Sequence, residues 1–167
     1  MRSSLPTSSV KFFSRHIKLS HKRNDFLLSL TSHIVRRAIG DVEVTINFVK
    51  YFKSVSTRGL TRVMRNGEVH VEVLGKLYVA ARDGKEKDVL AYLRTLMHEL
   101  THVMQHVEDR PFGLMPSDPR YYDDLAEHEA KLSEGHSSEG LLRLLSNFER
   151  MKRELSYEYD VLDCTRK

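Results

Sequence analysis

The sequence predicts an α+β fold, with one helix and a small mixed sheet of about four strands followed by a layer of three helices. Three observations lead there. Val42, Val44, Ile46 and Phe48 alternate with Glu43, Thr45 and Asn47, the two-residue period of a half-buried strand. Asn66-Gly67 is a hairpin turn signal between two strand-like arms, Leu60–Arg65 and Glu68–Leu74. From Asp83 onward the apolar residues take up helical spacing, broken at Pro111 and Gly135. Strands that precede helices in this way point to segregated layers rather than alternating βαβ units.

Taken in order, the chain opens on a basic segment. Residues 1–23 carry Arg2, Lys11, Arg15, Lys18, Lys22 and Arg23, and the first acid is Asp25. That segment is expected to be a basic N-terminal arm, with residues 24–167 as one domain. It suits a solvated tail, an organelle-targeting peptide, or an arm lying on an acidic partner or nucleic acid. From Asn24 to Ile39, Leu27, Leu30, Ile34 and Val35 recur at helical spacing, and Gly40 supplies a stop. After the strand at 42–48 and the hairpin, Gly75-Lys76 separates the second hairpin arm from a further apolar run, Leu77–Ala81, read as the last strand. Asp83 and Glu86 have capping-box spacing and open a long helix that Pro111 ends. Asp118-Pro119 caps a second helix, and a third covers roughly Ser138–Leu155.

The chain has 167 residues, enough to bury a core without staples, and 40% of them are hydrophobic. No run approaches the ~18 apolar residues of a membrane span. The single cysteine, Cys164, excludes an internal disulfide and a cysteine-rich metal cluster, which suits the cytoplasm or another reducing compartment. The net charge of +4 is modest and by itself names no partner.

Chemistry concentrates in the long helix. His98 and His102 are four residues apart, so they lie one turn apart on one face, and neutral imidazole is a good zinc ligand. Glu99 leans towards the same face and is placed to take a proton from a metal-activated water. The competing interpretation of the string is a pair of hydrogen-bonded core histidines with Glu99 on the rim.

The run Met97-His98-Glu99-Leu100-Thr101-His102-Val103-Met104-Gln105 resembles the active-site helix of the zincin metallopeptidases. The metzincin glycine and third histidine are replaced by Gln105 and Glu108. Downstream, Tyr121-Tyr122-Asp123-Asp124-Leu125-Ala126-Glu127-His128-Glu129-Ala130 is similar to the glutamate helix of gluzincins, above all of minigluzincins and compact phage and bacterial peptidases. The likeness covers residues 75–134. It implies a zincin-like domain holding one zinc per chain on His98, His102 and a glutamate, with Glu99 as catalytic base and a protein or peptide as substrate. Glu127 matches that glutamate, with Ala130 three positions later. Lys131 stands where the family often has an acid or amide, so the partner of a ligand histidine must come from elsewhere, with Asp123 and Asp124 as candidates. Helical phase leaves two choices of ligand. Glu127 faces the cleft if the stripe of Tyr121, Tyr122, Leu125, Ala126 and Leu132 packs on the third helix, and Glu129 replaces it if the stripe packs on the motif helix. Glu127 is preferred. The family also binds extended substrate along the strand before the motif helix, here Gly75–Ala81. Tyr121, Tyr122 and His136 are candidate oxyanion donors, and His106 extends the histidine ridge by a turn.

The alternative from another function class is a basic nucleic-acid- or assembly-binding protein whose metal site is structural or inactive. It would use Arg58, Arg62 and Arg65 together with the N-terminal basic residues, but lacks the interleaved aromatics of a single-strand platform.

Overall fold

A computed structural model describes residues 10–19, 25–40, 42–108, 130 and 159–162. Among them the chain forms a five-stranded mixed sheet and three helices: β1 (Val10–Phe13), α1 (Phe26–Ile39), β2 (Val44–Val49), β3 (Gly59–Val63), β4 (Val69–Leu74), α2 (Gly75–Arg82), α3 (Glu86–Val107) and β5 (Tyr159–Val161). The sheet order is β3-β4-β2-β1-β5. β1, β2, β4 and β5 run parallel, and β3 is antiparallel to β4 on the edge. The class is therefore α/β, with a β1-α1-β2 unit at its start, and helices and strands are interleaved rather than segregated.

The expected hairpin forms. Its turn is closed by the Gly67 N–H donating to the Met64 carbonyl at 2.9 Å, with Gly67 at φ +87°, a conformation that favours glycine. The expected first helix also forms. Asp25 caps it by accepting from the Leu28 N–H at 3.1 Å, and Gly40 ends it at φ +82°.

Three expectations are corrected. Val10–Phe13 lies inside the basic segment assigned to an arm, yet it is a strand paired on both sides, with Val10 and Phe12 buried. Four residues are too short a run to announce a strand among so many cations. The run Leu77–Ala81 is helix α2 and not a strand. Its contiguous apolar residues carry no polar alternation, and the buried positions Leu74, Tyr78 and Ala81 follow helical spacing. β4 passes into this helix without a loop, and Gly75 permits the close approach, since a Cβ there would lie 2.7 Å from Ile17 Cδ1. Finally, Asp83 does not cap the long helix. It is the C-terminal cap of α2, Gly84 turns the chain at φ +87°, and α3 begins with Lys85 as its N-cap and no side-chain cap bond. Glu86 and Asp88 in the first turn of α3 complement the helix dipole instead.

α3 contacts α1 and α2 as well as β3 and β4, which gathers the three helices on one face of the sheet. An aromatic group fills the space between. Phe48 stacks on Tyr78 at 4.4 Å, and Tyr92 and Phe12 lie against Phe48. The two buried phenols have partners. Tyr78 donates to the Asp25 carboxylate, and the Tyr92 hydroxyl lies 2.7 Å from that of Thr31. Thr31 spends its own proton on the Leu27 carbonyl, so Tyr92 is the donor to Thr31. Burial pushes both phenols above the ordinary tyrosine range. The predicted second and third helices lie outside the described residues, apart from Ala130, which is helical and fully buried.

Candidate metal centre

α3 exists because Val89, Tyr92, Leu93, Leu96, Leu100 and Val103 recur every three or four residues and bury one stripe. The histidine pair rides on the last turns of that buried helix. The His98 and His102 rings meet at 5.1 Å between centroids, inclined at 75°, as one-turn spacing on a single face requires. His98 is half-buried and His102 only 5% exposed.

Glu99 is not on the rim. It is 5% exposed and faces the edge strand β3. The Thr61 hydroxyl donates to its carboxylate Oε1 at 2.9 Å and also lies 3.1 Å from the Glu99 carbonyl. Burying a carboxylate is costly unless donors meet it, and Thr61 supplies one such donor to Glu99.

His102 is partnered by Gln105. Its Oε1 lies 2.8 Å from His102 Nδ1, and Gln105 is itself 1% exposed. An amide oxygen only accepts, so a neutral His102 ring paired with it carries its proton on Nδ1 and leaves on Nε2 the lone pair that a metal needs. This is the usual way a protein sets the tautomer and orientation of a ligand imidazole. A glutamine three residues after the second histidine, on the same helical face, was the available signal. Thr61 has a fainter one, a hydroxyl at the one buried position of an edge strand.

Two imidazoles on one face, one of them with Nδ1 beside an amide oxygen, are donors of the kind that zinc takes. Among those residues no group of three metal-capable side chains converges. Glu127 and Glu129, the alternatives for the third position, lie outside the described residues, as do Asp123, Asp124, Tyr121, Tyr122 and His136. His106 is half-buried one turn beyond His102. Arg58, Arg62 and Arg65 are exposed on the hairpin, and Arg62 is paired with Glu72. No described helix is long and apolar enough to cross a membrane.

No family model, no curated protein and no solved structure matches the chain.

Proposed function

We propose that the chain is a zinc-dependent metallopeptidase of gluzincin type, with His98, His102 and Glu127 as metal ligands and Glu99 as general base. The observation that carries this reading is the grouping on α3: two imidazoles meeting edge-on at 5.1 Å beside a buried glutamate, one of them with its Nδ1 2.8 Å from the Gln105 amide oxygen. A pair of merely structural core histidines needs no such carboxylate next to it. Zinc, when bound, supplies Lewis acidity that polarises a scissile carbonyl and makes water nucleophilic near neutral pH.

The protein's own groups do the rest. Glu99 accepts the proton of the attacking water and passes it to the leaving amine. Thr61 donates to Oε1 and so holds the carboxylate in place on the helix. The half-buried position of His98 and the burial of His102 and Glu99 keep bulk water from competing for the same hydrogen bonds. The strand edge next to Glu99 is that of β3, so the extended-peptide role expected of Gly75–Ala81 passes to β3.

The test is metal analysis of protein purified without chelator, together with turnover of a peptide library by the wild type and by Glu99→Gln. Bound zinc with cleavage in the wild type alone supports the reading. Zinc-loaded wild type that cleaves nothing refutes it.

A further inference from the structure

We infer that Gly59 and Thr61 of the edge strand form a cradle that positions the Glu99 carboxylate, which makes Thr61 a positioning residue for proton transfer. This inference rests on the peptidase reading and adds to it the part of the sheet on which the base depends.

The register of the sheet isolates the feature. One inward-facing lateral row runs Phe12, Ile46, Val71 and ends in Thr61 at the edge. The neighbouring row passes through Phe48 and Val73 and ends in Gly59. Both rows are apolar until they reach the strand beside α3. There one substitutes a hydroxyl, and the other has no side chain at all. A valine-like residue at either position would cover the helix as its neighbours do.

Both departures are aimed at one side chain. A Cβ on Gly59 would lie 2.8 Å from Glu99 Cγ and 2.9 Å from Oε2, closer than real Cβ atoms approach. The bare Cα therefore provides the room in which the carboxylate lies. Thr61 Oγ1 reaches Oε1 at 2.9 Å and the carbonyl of the same residue at 3.1 Å, so the strand references both the side chain and the backbone of Glu99. Two residues apart on one strand share a face, so Gly59 and Thr61 address Glu99 from the same side. The hydroxyl by itself supplies Oε1 with one hydrogen bond. Space for Cγ and Oε2 in addition is what a defined carboxylate orientation needs.

The experiment uses the full-length chain reconstituted with zinc and a quenched-fluorescent peptide library. Thr61→Val removes the donor at nearly constant shape. It is expected to lower kcat by roughly tenfold to a hundredfold, the scale of a misplaced catalytic group, with KM within about twofold. Zinc content is expected to stay at the wild-type value, and Thr61→Ser is expected to recover most of kcat. Gly59→Ala, which keeps the hydroxyl but displaces the carboxylate, is expected to lower kcat with zinc retained, and it decides the matter if Thr61→Val does not fold. A readout independent of turnover is the unfolding midpoint of the metal-free protein. Thr61→Val is expected to lower it in the wild type and to lower it by less in a Glu99→Ala background, where only the contact with the carbonyl of residue 99 remains to be lost. Wild-type kcat in Thr61→Val, or equal impairment of the Val and Ser variants, would overturn the inference while leaving the peptidase reading standing. Zinc-loaded wild type without any cleavage would overturn both.

Discussion

Replacing Gln105 with leucine removes the acceptor of the His102 Nδ1–H while keeping the volume of a side chain that is 1% exposed. His102 is 5% exposed, so water does not replace the lost partner readily. Two outcomes compete at the ring. If the proton stays on Nδ1, the metal-free protein carries an unsatisfied buried donor at a cost of about 1–3 kcal/mol. If the proton moves to Nε2, the lone pair that would hold the metal is gone until the ring is returned to the other tautomer. Either way the ligating form loses support, and loss of such outer partners weakens metal binding by roughly tenfold to a hundredfold. That corresponds to about 1.4–2.7 kcal/mol at 1.36 kcal/mol per decade, in line with the cost of the unsatisfied donor. The assay is competitive zinc titration against a chelator of known affinity, with urea unfolding of the metal-free protein alongside. Gln105→Glu retains an acceptor at the same reach and should bind zinc more tightly than Gln105→Leu. Unchanged zinc affinity in Gln105→Leu would refute the claim that this hydrogen bond prepares His102 as a ligand.

Two further outcomes follow from the fold. Truncation through residue 20 removes β1, with buried Val10 and Phe12 and the pairing partner of both β2 and β5, so it should abolish cooperative unfolding by circular dichroism; a truncated chain that melts like the full-length one would contradict the register. Tyr78 and Tyr92 both have folded pKa values raised above 10 by burial, so their neutral forms stabilise the folded state. That contribution is complete below pH 10 and is lost as the pH climbs towards the raised folded values. The melting temperature should therefore fall steeply above pH 10, and Tyr92→Phe should flatten that fall.

What could be read in advance depended on how local the signal was. β2 was visible because Val44, Ile46 and Phe48 alternate with polar residues, and the hairpin because Asn66-Gly67 carries its own turn geometry. α1 was visible because its apolar stripe is bracketed by Asp25 and Gly40. β1 was hidden, since a four-residue strand acquires its stability from β2 and β5, and β5 lies nearly 150 residues away in sequence. α2 was hidden because an unbroken apolar run has no period to distinguish the two structures, and Gly75 looked like a breaker when it serves close packing. The same distinction holds at the site. His98, Glu99 and His102 share one helix, so spacing alone grouped them. Gln105, three residues past His102 on the same helix, is within reach of the same reasoning. Thr61 lies 38 positions from Glu99, and only the edge register brings the two together.

The most direct measurement is zinc stoichiometry and peptide turnover on the same preparations of wild type, His98→Ala and Glu99→Gln. If α3 carries a catalytic metal site, the wild type holds one zinc and cleaves peptide, His98→Ala loses the metal, and Glu99→Gln keeps the metal and loses turnover. Zinc retained in His98→Ala, or turnover at the wild-type rate in Glu99→Gln, would contradict it.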